Sequence, residues 1–546
     1  MKIDKLLRFE SDNYFESISV NDFYSFTKSD FSHNILVDLS YEKASKDAEL
    51  SEKFIKKLNN SREVYKYTFE ENILIDAIIE FCNYIIMNKK YYWNKFTITH
   101  NTSPLPYILN GLKVYPSGNE TDDENYLDLI SQLPGTLRDI REKLIIQKEQ
   151  GIMMHEDECH ITIKMLKGFY QDNNSLLRRK LNSKKIDCII DKFNEELNRT
   201  IEYLQNNYFE KGIIWKGVCE LDNGREYYKS LINVYTSYNL SAEQIHEIGL
   251  ENMRITRDKL RNIIEKTGHN MSIEEFNILL KKDLRFFDTS SDQLSGRMNG
   301  YINKIRPKLK DFFYKIPSTE CDIRPIDKNR ESSTTWGYYA IPVGNEEKGI
   351  YYFSGAELDK RCQLRTGAIV CHELLPGHHF QMNLIAEDKS LPKICNQHFN
   401  TAYADGWAEY AVDLSNEIGI FDEFDMYGRY LWDLILCVRL VVDTGINALG
   451  WSLDRVKQFM KENTDLTDAE IHTEALRYAV DMPGQALSYK FGSIKMHHFR
   501  NKSENALKDK FNIKDFHEAV LKYGSIPLNI LEKSVDNYIT QTINLL

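Results

Sequence analysis

His372 and Glu373 open the run HELLPGHH, which closes on His378 and His379. Imidazoles beside a carboxylate are the side chains that bind a divalent cation and move a proton. In zinc hydrolases of the HExxH type, two histidines four residues apart share one helix face, and the glutamate between them acts as base on the water that the metal activates. Here the residue four after His372 is Pro376. On an unbroken α-helix, positions six or seven apart are displaced by roughly 9 to 10 Å, too far for both to bond one ion. Pro376 removes a backbone donor and biases Leu375 away from the α region, and Gly377 can take conformations closed to other residues. The pair predicts a local bulge that brings His378 or His379 back to His372. The spacing leaves both histidines open as ligands.

Two stretches downstream complete a candidate site. NTAYADGWAEYAVDL reads as a helix carrying Asp405, Glu409 and Asp413 at four-residue steps on one face, among aromatics that would bury it. A zinc site of two histidines and one carboxylate would draw on Asp405 or Glu409, whereas without the histidines a surface stripe of acids is the plainer reading. RYAVDMPGQALSYKFG holds Arg477, Tyr478, Tyr489 and Lys490 around a Pro483-Gly484 break. A tyrosine there could donate to a developing oxyanion, and Arg477, Lys490 or Arg439 could grip a substrate carboxylate. Similar residue types also occur in MHEDECH, ending at His160, and that segment reads as a solvated acidic turn.

The elements that must position these groups are mostly helices. Long amphipathic segments such as ENILIDAIIEFCNYIIM run uninterrupted, helped by only 12 prolines in 546 residues. Ser241 and Gln244 form a predicted capping box for a helix ending near Gly268, with His246 an ordinary residue on it. Ser333 to Gly355 breaks the pattern: β-branched and aromatic residues flank Gly344, Asn345 and Gly349, which predicts a hairpin or small sheet just before the site. Its edge would offer backbone groups to an extended substrate. The expected organisation is an N-terminal helical region over 1–230 and a catalytic region over 231–546, or one continuous domain.

Bulk composition narrows the partners. A net charge of -11 argues against a general nucleic-acid or anionic-membrane surface, and the basic LLRRKLNSKK reads as a solvated helix face. No apolar run reaches a membrane span, and MKIDKLLRFESDNYF lacks the apolar stretch of a signal peptide. Nine scattered cysteines, with Cys371 packed beside the site, predict reduced thiols and a cytoplasmic protein.

HELLPGHHFQ, ADGWAEY, VRLVVDTGINALGW and DMPGQALSYKFG, in this order, resemble the signatures of the bacterial domain of unknown function 885 family, a group related to zincin metallopeptidases. The resemblance runs from SPLPYILNGL to FHEAVLKYGSIPLNILE. It implies a mainly α, large helical zincin-like metallohydrolase fold with a small sheet beside the active-site helix. It also implies zinc held by His372, one of His378 and His379, and the carboxylate at Asp405, with Glu373 as general base and Tyr489 as transition-state donor. The chain departs from the family pattern where Asp405 replaces Glu and Asn447 replaces His. The expected function is a zinc-dependent hydrolase of a peptide or small amide substrate. The alternatives are a metal-dependent tailoring enzyme of a small metabolite, for which another divalent metal such as iron would serve, and a non-catalytic binding protein.

Overall fold

Helical periodicity carries through to the architecture, with 71% of the chain helical and one small sheet. The computed structural model describes residues 5–19, 36–115, 118–171, 175–178, 184–208, 217–326, 336–342, 346–397 and 400–544. Seven helices bear on the site and are numbered in chain order: α1 Glu156–Lys167, α2 Ala242–Lys266, α3 Thr366–Glu373, α4 His378–Glu387, α5 Thr401–Glu417, α6 Glu423–Asn447 and α7 Leu487–Leu507.

The predicted capping box starts α2: the Ser241 side chain accepts from the Gln244 amide, and the Gln244 side chain returns to the Ser241 N–H. This helix lies along α6, with His246 bonded through Nδ1 to Thr444 Oγ1 at 2.9 Å. Helices α5 and α7 cross where Gly406 meets Gly492. A Cβ on Gly492 would stand 2.6 Å from the Gly406 Cα, so two bare backbones are what allow the approach.

The sheet is larger than a hairpin. Strands β1 Cys321–Pro325, β2 Gly337–Ala340 and β3 Gly349–Phe353 lie in the order β1-β3-β2. β2 runs antiparallel to β3 with Tyr339 opposite Tyr351, and β1 adds a parallel neighbour with Cys321 opposite Gly349. β2 is therefore an edge. The predicted turn residues Gly344 and Asn345 lie outside the described residues, as does half of LLRRKLNSKK.

Two large apolar clusters form the core. One joins Ile75 and Phe81 to Val370, Phe380, Trp407 and Phe499; the other joins Tyr126 and Phe193 to Val438, Val441 and Leu476. Each draws from both sides of residue 230, so the site rests on packing supplied by both halves of the sequence. Among the described residues, no helix is long and apolar enough to cross a membrane.

Candidate metal centre

The PG break folds the chain back on itself. α3 ends at Glu373; Leu374 still donates to the Val370 carbonyl at 2.9 Å but leaves the helical region at φ -115, ψ -92. The Leu375–Pro376 peptide bond is cis. Trp407 of α5 donates its indole N–H to the Pro376 carbonyl at 3.0 Å, and Phe380 closes the bulge by donating to Leu374 O at 3.2 Å. Gly377 sits so tightly against the end of α3 that a Cβ there would collide with the carbonyl oxygens of Cys371 and His372.

The new helix α4 begins at His378, and the rings of His372 and His378 come to 4.6 Å between centroids, nearly perpendicular at 85°. Asp405 reaches them from α5. One ligand atom from each of these three residues lies within 4.8 Å of the others, all three residues buried. His378 Nε2 and Asp405 Oδ1 are 3.3 Å apart. Two bonds of about 2.0–2.1 Å at the tetrahedral angle would set their ligand atoms about 3.3 Å apart, so this donor set fits zinc.

The acidic stripe divides its labour. Asp405 faces His378, and Asp413 is taken by Arg429 Nε at 2.9 Å and by His497 Nε2 at 2.9 Å. Glu409, fully buried, lies 2.9 Å from His372 Nδ1, which leaves Nε2 as the nitrogen free to meet a cation. Trp432 donates to Glu409 Oε1 at 2.8 Å, and Arg429 pairs with Oε2 at 2.8 Å. Burial alone would lift the Glu409 pKa, but Arg429 and His372 hold it below the ordinary carboxylate range. An ionised carboxylate behind a ligating histidine fixes ring orientation and raises basicity.

His379 does not join the cluster, which corrects the expectation that it could be a ligand. Its Nε2 donates to the Thr319 carbonyl at 3.1 Å, so its Nδ1 accepts, from Tyr339 O–H at 3.0 Å and from the Asn383 amide at 3.2 Å. Burial lowers its pKa to about 4. The neighbouring histidine thus stitches α4 to β2 as a neutral ring.

Glu373 stands at the mouth of the cluster, half-buried, with the backbone N–H of Tyr339 on the edge strand beside it. Burial pushes its carboxyl up, against the opposing pull of His372 and His378. Tyr489 of α7 lays its ring along His372, 6.3 Å between centroids at 20°. Its phenol oxygen receives Arg477 Nη2 and Gln485 Nε2, each at 3.2 Å; both partners are donors, so the phenolic hydrogen is left to face a third group. Arg477 opens a π-helical turn, Arg477–Asp481, and remains half-buried.

Two of the three proposed substrate cations are otherwise engaged. Arg439 is buried and spends Nε and Nη2 on Glu474, at 3.1 and 2.9 Å, with its guanidinium 4.9 Å over the Tyr489 ring. Lys490 is buried against both oxygens of Asp433, at 2.7 and 2.9 Å. Neither presents a free charge to a ligand; Arg477 is also paired with Glu474, through Nη1 at 3.5 Å, but is the most exposed of the three. Asn447 is likewise structural: its side chain accepts from Val218 N–H at 3.2 Å and donates to the Tyr478 carbonyl at 3.0 Å. Cys371 packs in the core as expected, and all nine cysteines are free.

Sequence reasoning passed over a second group. MHEDECH is no solvated turn: Glu158, in the first turn of α1, is inaccessible to solvent and meets His100 and Asp481. Nothing local to that segment announces partners 58 and 323 residues away.

Fold and site together define a mainly helical protein with a buried His/His/Asp cluster at a broken helix. The chain belongs to the family described as bacterial protein of unknown function (DUF885), which matches residues 26–535. It is similar in fold to a lipoprotein candidate from Colwellia psychrerythraea, at 21% identity over 98% of this chain and 99% of that one, with a TM-score of 0.87. A lipoprotein candidate of unknown function from Shewanella oneidensis is similar at 14% identity over 96% and 98% of the two chains, TM-score 0.75. No curated protein matches the sequence.

Proposed function

We propose that this protein is a zincin-like, metal-dependent hydrolase of a peptide or small amide. The observation that carries the reading is the convergence of His372, His378 and Asp405 across the Pro376-Gly377 break, with Glu373 at its mouth. A zinc ion held by those three residues would supply Lewis-acid activation of water and of the scissile carbonyl.

The chain's own groups then have separate tasks. Glu373 takes a proton from the attacking water as the carbon–oxygen bond forms, and returns it to the amide nitrogen as the carbon–nitrogen bond breaks. Tyr489 donates its phenolic hydrogen to the carbonyl oxygen as charge gathers there. Edge strand β2 lies beside Glu373 and suits an extended substrate that pairs with its backbone. Arg477, held against Tyr489, is the cation placed to orient an anionic group of the substrate.

The test is elemental analysis of purified protein followed by turnover on peptide and amide libraries, for wild type and Glu373→Gln. The variant should keep its metal and lose activity by a factor of about 10²–10⁴. Protein without stoichiometric metal, or equal turnover in both forms, would refute the assignment.

A further inference from the structure

We propose that His100, Glu158 and Asp481, with Asn101 beside them, form a second divalent-cation site, separate from the His372 cluster. Three segments remote in sequence meet there: the loop before Leu105, the first turn of α1, and the last residue of the π-helical turn that begins at Arg477. His100 Nδ1 lies 2.9 Å from Glu158 Oε2 and 3.4 Å from Asp481 Oδ2, and one ligand atom from each of the three residues falls within 4.8 Å of the others. These separations bracket the roughly 3.3 Å expected between neighbouring donors on a tetrahedral ion.

The state of the individual oxygens points to a ligand. Glu158 Oε1 accepts from the His100 backbone N–H at 2.9 Å and the Thr162 hydroxyl at 3.0 Å, and both Glu158 oxygens lie against His100 Nδ1, at 3.0 and 2.9 Å. Asp481 is only 6% exposed, and its Oδ1 is buried with no donor in hydrogen-bonding geometry, the Thr99 side chain being the nearby polar group. A buried carboxylate oxygen without a donor is costly unless something positive meets it. Two carboxylates face one imidazole, and burial together with Glu158 pushes the Asp481 carboxyl up to about 7, so the cluster lacks the positive charge that both acids would need. The nearest guanidinium, Arg477, is shared with Glu474 at 3.5 Å. A doubly charged ion beside a neutral ring closes the balance.

Asn101 offers a fourth donor. Its Nδ2 is 2.6 Å from Asp481 Oδ2 and 3.1 Å from His100 Nε2, so a half-turn of the amide presents Oδ1 to the same place. One imidazole nitrogen with carboxylate and carbonyl oxygens suits zinc or manganese. Bound there, the ion would clamp the end of the turn that aims Arg477 at Tyr489.

The test separates this site from the first. In full-length protein carrying His372→Ala and His378→Ala, stripped of metal, titration with zinc alone and with manganese alone should still show one equivalent bound. Adding Asp481→Asn, or separately Glu158→Gln, should weaken that binding at least about tenfold. Circular dichroism melts verify that each variant is folded, and His100→Gln replaces any that is not. No binding in the double-alanine protein, or binding indifferent to all three further substitutions, overturns the proposal and leaves the cluster a closed ion pair of imidazolium and carboxylates. Because the first site is removed throughout, its own failure would not mimic either result.

Discussion

Glu409 would act on a cation in the proposed site only through His372, and that makes its role separable from Asp405's. Replacing it by Gln keeps the shape and the Trp432 contact but removes the charge behind the ring. Metal affinity should fall by about 10–100-fold, read by chelator competition, with His372 and His378 still present. Unchanged affinity would mean that Glu409 serves Arg429 alone. Sequence spacing narrowed the carboxylate to Asp405 or Glu409 and stopped there, because residues one helical turn apart share a face and differ only in what stands opposite. What stands opposite Glu409, Arg429 and Trp432, comes from α6 and is invisible to local pattern. The choice between His378 and His379 was closed to sequence for a related reason. Adjacent residues on a helix point about 100° apart, and the direction of each depends on how the break sets α4 against α5 and β2.

At the level of elements, the break is the device that makes the cluster. Gly377→Ala places a methyl against the carbonyl oxygens that end α3, and the chain must swing away to accept it. The expected cost is about 1–3 kcal/mol of stability by chemical denaturation, accompanied by loss of bound metal as His378 leaves His372. Gly135→Ala is the control: nothing lies within 4 Å of a Cβ there, in a helix spanning Leu133–Glu149. It should be neutral or slightly stabilising. A Gly377→Ala protein with full metal content would show that the bulge tolerates a side chain and that the break is incidental. The helices themselves were legible because 3.6-residue periodicity and capping residues are local, as at Ser241 and Gln244. β1 was not, since CDIRP is only five residues long, ends on a proline, and becomes a strand by pairing with β3.

Across the whole molecule, the site is held by a network of buried charge, one member of which, Lys490, sequence reading assigned to substrate. Lys490 of α7 and Arg429 of α6 converge on Asp433, with Thr256 of α2 donating to Asp433 Oδ2 at 2.7 Å. Arg429 continues to Glu409 and Asp413 on α5, so one network ties four helices around the cluster. A lysine beside a candidate oxyanion donor, Tyr489, looks like a ligand anchor in one dimension; only the fold shows that a carboxylate from 57 residues earlier has already neutralised it. The two roles predict opposite phenotypes. If Lys490 is structural, Lys490→Met leaves the buried Asp433 carboxylate with the Thr256 hydroxyl and only the more distant Arg429, at 3.9 Å, and should cost about 3–5 kcal/mol in denaturant unfolding. Lys490→Met combined with Asp433→Leu removes both charges and should recover most of that loss, because a buried pair replaced by apolar side chains of similar volume is close to neutral. A Lys490→Met protein of wild-type stability with weakened substrate binding would instead return Lys490 to the substrate and leave the four-helix network without its central pair.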